Sequence, residues 1–367
     1  MGKNDRYSRH YKLKGFGEDG QTMLQKSKVL VIGAGGLGCP ALQYLVAGGV
    51  GTIGIVDYDN IELSNLQRQT LYNTNDIGLP KAQVAAEKLR LLNPEIKIRE
   101  YVLNISTENA IGLIEDFDVI VDCTDNFITR YLLSDICMLL DKPLVFGAIY
   151  QYEGQLAVFN VENDKGIKTT YRHLFPSPPS QLDAPDCNEA GVLGVLPGVI
   201  GTLQATETIK LLTGIGQVLS NKLMTINLLD NQTLILDIPV NMPPNTEYPT
   251  SLQAFEETDY ASHCATTNIE GINVEELMNI HQNDDVLIID VRNLDERPKL
   301  TISHVQIPLS ELSEKLTTIN KKQVIVVCQS GKRSLSAVQF LQDKIGTEHH
   351  ISHLKGGVSA LVAYNHG

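Results

Sequence analysis

Two short stretches of this 367-residue chain place glycine, acid and base, or cysteine and base, at spacings that can do chemistry. The first is Gly33-Ala34-Gly35-Gly36-Leu37-Gly38. It fits G-x-G-x-x-G, where the first glycine permits a sharp reversal, the second lets backbone approach a phosphate, and the third lets a helix pack on a strand. Backbone N–H groups at a helix start favour an anion. Asp57 closes the next apolar run, and its carboxylate suits ribose hydroxyls. The polar run that follows, Asp57-Tyr58-Asp59-Asn60 through Asn65-Leu66-Gln67-Arg68-Gln69, has no evident use in a dinucleotide dehydrogenase. A triphosphate needs cations beside the glycine turn, and Arg68 and Lys81 can supply them. Asp125, in Asp122-Cys123-Thr124-Asp125-Asn126, is a candidate to hold Mg²⁺, which is typically bound by one or two carboxylates plus substrate oxygens. Asp122 suits that loop or the cap of the next helix. The second stretch is Cys328-Gln329-Ser330-Gly331-Lys332-Arg333-Ser334. A cysteine between a strand end and a helix start, ringed by backbone N–H groups and followed by two bases, favours a thiolate or persulfide. A turn that binds nothing, a lysine pointing into water and an inert buried cysteine are the plain alternatives.

These residues need elements to hold them. Val29-Leu30-Val31-Ile32 reads as a strand, with a helical pattern after the turn through Ala41, Leu42, Leu45 and Val46. Ile53-Gly54-Ile55-Val56 is a second strand, Gly78-Leu79-Pro80 starts a helix over 81–92, and 117–121 is a strand ending in the acidic loop. Residues 143–147 add another parallel strand. The pattern then changes: 155–159, 223–228 and 233–238 look antiparallel, with a turn at Asp230-Asn231. A polar, proline-rich stretch over 175–186 ends at Cys187. From Pro239 to about Thr267 the chain is polar and aperiodic, which divides it into a domain over 1–245, a linker over 246–267 and a domain over 268–367. In the last part 286–290 and 324–327 read as strands and 309–316 as a helix.

Composition narrows the class. Hydrophobic residues make up 43% and charged residues 20%, ordinary for a soluble protein with sizeable cores. A net charge of −13 argues against a general binder of nucleic acid or anionic membrane. The six cysteines show no disulfide-framework spacing and no secretory leader pattern precedes them, so a reduced, cytoplasmic protein is expected. No apolar run is long enough for a bilayer; 190–201 is broken by Pro197 and leads into Leu203, Ile209 and Leu211, a buried helix.

Residues 1–245 resemble the adenylating enzymes related to ubiquitin-activating enzymes, the MoeB/ThiF/HesA group. The match lies in Arg6-Tyr7-Ser8-Arg9, the Gly33 turn, the run 57–69, Gly78-Leu79-Pro80-Lys81, Asp122-Cys123-Thr124-Asp125-Asn126 and Glu189-Ala190-Gly191-Val192. The last part resembles a rhodanese domain through Asp290-Val291-Arg292, the Cys328 loop and Gly356-Gly357-Val358. The fold expected is therefore α/β: a Rossmann-like nucleotide-binding domain with a mixed sheet, then a smaller rhodanese-like domain. The resemblance implies ATP and Mg²⁺ as cofactors and adenylation of a small ubiquitin-like sulfur carrier ending in Gly-Gly, of the molybdopterin, thiamine or tRNA-thiolation kind. It implies a homodimer in which Arg9, otherwise a solvated arm, crosses to the partner's site as an arginine finger. Asp57 would hold ribose, Arg68 and Lys81 phosphates, and Asp125 the metal. Gly33, Gly35, Gly36, Gly38, Asp59, Asn65, Gln69, Asp122 and Asn126 would complete the nucleotide site. Cys328 would carry sulfur from thiosulfate or a cysteine-desulfurase persulfide, with Gln329, Ser330, Gly331, Lys332 and Arg333 as its loop, and Cys187 would act as acceptor or resolving thiol. Two departures stand out. Where relatives carry two C-x-x-C pairs for zinc, this chain has Thr170 and His173, and near the second pair only His263 and Cys264, so no structural zinc is expected. In the rhodanese part Ser303 precedes His304, Arg297-Pro298-Lys299 is atypical, and Leu361 stands where an aromatic is usual.

Overall fold

The computed structural model describes residues 6–163, 165–178, 191–244, 246–260, 271–319, 321–345 and 349–366. The chain divides into two compact units. In the first, β1 (Lys28–Ile32), β2 (Thr52–Val56), β3 (Lys97–Tyr101), β4 (Val119–Asp122) and β5 (Leu144–Tyr150) pair in parallel, in the order β3-β2-β1-β4-β5. Then β6 (Glu153–Phe159), β7 (Lys222–Asn227) and β8 (Gln232–Asp237) continue the sheet antiparallel, as the sequence pattern indicates. Side chains alternate across each strand. Val29 and Val31 enter one core with α1 (Gly17–Lys26), α2 (Gly38–Gly48), α3 (Lys81–Leu92) and α7 (Val195–Thr213). Leu30 and Ile32 enter the other with α4 (Thr107–Ile114) and α5 (Phe127–Leu139). Both faces of the parallel part are therefore covered. The order reverses direction between β1 and β4, so the loops after these strands part and leave a crevice at their carboxyl ends, where ligands of such sheets bind.

The N-terminal segment is more than a solvated arm. Tyr7 and Phe16 are buried, Asn93 Nδ2 donates to the Tyr7 hydroxyl at 2.8 Å, and His10 Nδ1 meets Gln21 Oε1 at 2.7 Å. Arg9 itself is exposed. Within the expected linker, residues 252–260 belong to the first unit. Ser251 caps α8 (Leu252–Glu257), and Phe255 and Tyr260 are buried in the core of α4 and α5. The Tyr260 hydroxyl donates to Asp135, which also takes a bidentate pair from Arg172 on α6 (Tyr171–Leu174), all at 2.7 Å. Two large aromatic side chains and a buried carboxylate partner account for this order in a stretch without periodicity.

The second unit is an all-parallel sheet, β11-β10-β12-β13-β9, from β9 (Gly271–Ile272), β10 (Val286–Asp290), β11 (Val305–Gln306), β12 (Gln323–Val327) and β13 (His350–Leu354). Helix α10 (Lys332–Ile345) covers one face of it. Helices α9 (Val274–Ile280) and α11 (Gly357–His366) cover the other. The helix expected over 309–316 is instead two 3₁₀ turns, Leu309–Glu311 and Leu316–Thr318. Pro308 and short apolar spacing give one-turn contacts there but no continuous face. No helix among the described residues is long and apolar enough to cross a membrane.

Candidate functional site

The glycine turn after β1 is forced by its neighbours. Gly33 has φ +93°, and a Cβ on it would lie 2.7 Å from the Cys123 carbonyl oxygen beyond β4. A Cβ on Gly38 would lie 2.0 Å from the Gly33 carbonyl oxygen, so only glycine lets α2 start this close to the strand. At Gly35 the nearest neighbour of an added Cβ is Gln69 Nε2 at 3.5 Å, which leaves backbone open to a ligand. Asp57 binds this turn to the polar run: its Oδ2 accepts from Ala34 N at 2.7 Å and its Oδ1 from Asp59 N at 2.8 Å. Burial pushes the Asp57 carboxyl up, and nearby Lys81 pulls it back. Lys81 opens α3, against the helix dipole, and Asp59 Oδ2 at 2.8 Å compensates it. The Tyr72 hydroxyl holds the Ala34 carbonyl at 2.8 Å, joining turn and run.

These groups surround a cavity of about 360 Å³ at the reversal of strand order. Of the expected residues, Gly33, Gly35, Gly36, Asp57, Asp59, Arg68, Gln69, Lys81, Asp125 and Asn126 line it. Gly38, Asn65 and Asp122 stand behind the wall. Asn65 accepts from Glu62 N and stabilises the polar run. Asp122 is buried, and its Oδ1 accepts from Thr124 N at 2.9 Å and Thr124 Oγ1 at 2.7 Å. It does not cap α5, because Asn126 does, accepting from Thr129 N at 2.9 Å. Burial pushes the Asp122 carboxyl up, with Arg130 pulling it down. Asp125 is exposed, lines the cavity and has no hydrogen bond or ion pair among the described residues. Arg68 reaches the Ser64 carbonyl at 3.1 Å and also lines the cavity. Gln69 Oε1 is buried with no partner among the described residues. Backbone left open at Gly35, an orphaned amide oxygen, a lysine and a free carboxylate together fit a nucleotide with its metal. Arg9 does not line this cavity within one chain.

Sequence reasoning missed Arg130 and Gln204. Arg130 lines the cavity, donates to the Thr124 carbonyl at 3.1 Å and lies over the Phe127 and Phe146 rings at 5.4 and 5.5 Å. Its spacing of four from the Asn126 cap was the available signal, since such residues share a helix face. Gln204 Nε2, from α7, donates to the Asp122 carbonyl at 2.6 Å, a contact no local pattern announces.

In the second unit Cys328 follows the central strand β12 and is fully buried. Gly331, at φ +93°, turns its N–H onto Cys328 Sγ at 3.2 Å. The start of α11 secures the loop: Val358 N donates to the Cys328 carbonyl at 2.8 Å and Ser359 N to that of Gln329 at 3.0 Å. Gln329 accepts from Arg292 Nη1 at 3.0 Å, and Arg292 is itself buried against Asp290. Both Arg292 and Asp290 act here through Gln329, a role their motif did not announce. Arg333 forks onto Glu296 at 2.6 and 2.7 Å, which holds the Glu296 carboxyl below its usual range. Among the described residues, Cys328 Sγ accepts from the Gly331 N–H and donates its S–H to Ser334 Oγ at 3.5 Å. Lys332 starts α10. Leu361 is buried beside Leu277 and Val358, filling apolar space where an aromatic was expected.

Cys187, His263 and Cys264 lie outside the described residues. At the other expected zinc positions, His173 Nδ1 accepts from Thr170 N at 3.0 Å in a helix cap. Burial pushes the thiols of Cys39, to about 12, and Cys123 upward, as suits inert core cysteines.

The ThiF family model matches residues 7–250 and a rhodanese-like domain model matches residues 273–364. A sulfur carrier protein adenylyltransferase of Thermus thermophilus is 46% identical over 263 residues, 71% of this chain and 96% of that protein. A probable adenylyltransferase/sulfurtransferase, MoeZ, of Mycobacterium tuberculosis is 39% identical over 365 residues, covering 97% of this chain and 92% of its own length. Among solved structures, Escherichia coli MccB crystallised with ATP superposes with TM-score 0.56 at 23% identity, over 66% of this chain and 75% of its own, a likeness of fold.

Proposed function

The chain belongs to the ThiF family with a rhodanese-like domain behind it, and on that premise we propose that it adenylates a small ubiquitin-like sulfur carrier and then sulfurates it. The observation that carries the first half is the cavity at the sheet's reversal, where an open glycine turn faces Lys81, Arg68 and the free carboxylate of Asp125. The carrier's C-terminal glycine carboxylate attacks the α-phosphate of ATP, a bond forms to phosphorus, and pyrophosphate leaves with its electron pair. Little covalent chemistry falls to the protein; positioning and charge stabilisation dominate. Asp57 uses one lone pair of each oxygen on backbone N–H groups and keeps others for ribose hydroxyls. Arg68 and Lys81 hold phosphates, with Asp59 keeping Lys81 in place. Asp125 would hold Mg²⁺, which supplies charge neutralisation at the phosphates. Arg9, exposed and outside its own chain's cavity, is available to reach the site of a partner in a homodimer.

In the second half Cys328, loaded as a persulfide by thiosulfate or a desulfurase, attacks the acyl carbon of the carrier adenylate, and AMP leaves. The acyl disulfide so formed is opened by Cys187 or an external thiol, which bonds to Cys328 sulfur and releases the thiocarboxylate. Such thiol chemistry fits a reducing, cytoplasmic setting. Carrier-dependent ATP–pyrophosphate exchange tests the reading, with nucleotide preference as its control. ATP with Mg²⁺ should raise the melting temperature and NAD should not; stabilisation by NAD alone would turn the assignment to an oxidoreductase.

A further inference from the structure

Behind the sulfur loop lies a buried polar chain that sulfur transfer, as described, leaves unused. Cys328 Sγ is 3.5 Å from Ser334 Oγ on the first turn of α10, and Ser334 Oγ is 3.5 Å from His353 Nδ1 on β13. Cys328 and Ser334 are wholly buried and His353 nearly so. The fold makes room for the imidazole: His353 pairs with Gly271 of β9, and a Cβ there would lie 2.7 Å from His353 Nε2. Burial, then the charge of Lys355, lowers the histidine's proton affinity against the Leu354 backbone, which raises it; the neutral ring carries one N–H. Ser334 donates to the Gly331 carbonyl at 2.9 Å, which leaves its oxygen free to accept from the cysteine S–H on one side and the imidazole on the other.

We propose that His353 and Ser334 form a hydrogen-bond relay that stabilises the ionised sulfur of Cys328: His353 Nδ1–H donates to Ser334 Oγ, and the Ser334 hydroxyl turns from the Gly331 carbonyl onto the thiolate or persulfide anion. The thiol proton passes to solvent, the serine and histidine keep theirs, and no other covalent bond changes in this switch. When the cysteine gives up its proton, Ser334 loses an incoming S–H donor and gains an acceptor for its own hydrogen, while His353 satisfies the serine oxygen. The Gly331 N–H stays on sulfur throughout, so the anion receives two donors where the thiol had one. A buried anion needs such donors. His353 and Ser334 are thus positioning residues, and the inference rests on the reading of Cys328 as the sulfur carrier.

The test uses the full chain and three variants, His353→Asn, His353→Leu and Ser334→Ala. Asparagine places an N–H donor near the position of imidazole Nδ1, whereas leucine fills the space without one. Thiolate absorbance at neutral pH, taken as the difference from Cys328→Ser, reads ionised sulfur directly; the rate of sulfur uptake from thiosulfate reads its use. In uptake the thiolate bonds to the outer sulfur and sulfite leaves. His353→Asn should match the unmodified chain in both readouts, and His353→Leu and Ser334→Ala should lose several-fold of each at unchanged melting temperature. Full thiolate signal in His353→Leu, or equal losses in His353→Asn and His353→Leu, would overturn the relay. A chain that takes sulfur neither from thiosulfate nor from a cysteine-desulfurase persulfide, yet keeps the separation of thiolate signals, would support the relay and refute the sulfurtransferase reading.

Discussion

The nucleotide cavity is walled by side chains brought from distant parts of the first unit, whereas the sulfur of the second unit is cradled chiefly by the backbone of its own loop. Asp57 and Lys81 meet through Asp59, and Thr124 is gripped by Asp122 on one side and Arg130 on the other. Among the described residues the donor to Cys328 Sγ is the Gly331 N–H, and the S–H in turn donates to Ser334 Oγ, both partners within the same motif. A cavity built from side chains can present opposite charges to a large polar ligand. A backbone cradle suits one soft atom whose charge must be tolerated inside a core.

That difference sets what each site will bear. The largest effect is expected at Gly38, where an added Cβ would stand 2.0 Å from backbone oxygen. Gly38→Ala should cost roughly 3 kcal/mol of stability and abolish ATP-induced stabilisation in thermal melts, because backbone cannot step aside like a flexible side chain. Asp125→Ala comes next. Its side chain is exposed and bonds to nothing described, so the melting temperature should hold while exchange falls by about a hundredfold or more. Exchange at the unmodified rate would refute the proposal that Asp125 holds Mg²⁺.

Gly331→Ala probes the other region. At φ +93°, with the Gly356 N–H 3.0 Å from an added Cβ, alanine should lower sulfur uptake about tenfold and leave pyrophosphate exchange alone. An equal loss in both assays would mean that the two regions are not separable. The smallest effect concerns Asp122, whose folded carboxyl is raised by burial. A raised carboxyl stabilises the fold below its unfolded-state pKa, and that contribution is lost as pH rises through the folded one. Relative to the native chain, Asp122→Asn should therefore gain stability between acid and neutral pH, read as a widening difference in melting temperature. A constant offset across that range would contradict it.

Legibility in the sequence follows the same division. The glycine turn, Asp57 at its strand end and the Cys328 loop are local patterns, and each lies where its pattern places it. The antiparallel extension was also readable, because its short strand-like runs and the Asp230-Asn231 turn between two of them are local. What was not readable depends on partners far away in sequence. Gln204 reaches Asp122, Arg292 reaches Gln329 and His353 reaches Ser334 only because the sheets bring them together. Arg333 looked like a base for the sulfur, yet Glu296 takes its guanidinium, since a bidentate carboxylate is the better partner for a planar fork. The helix within the expected linker escaped notice because its order rests on Phe255 and Tyr260, not on periodicity.

Intact-mass analysis of a Gly-Gly-tailed ubiquitin-like carrier, incubated with this chain, ATP, Mg²⁺, thiosulfate and a thiol reductant, tests the central claim most directly. The native chain should convert the carrier to its thiocarboxylate. Cys328→Ser should still support carrier-dependent pyrophosphate exchange and yield no thiocarboxylate. A thiocarboxylate made equally well by Cys328→Ser, or a carrier left unmodified under all conditions, would contradict the coupling of the two units in one reaction.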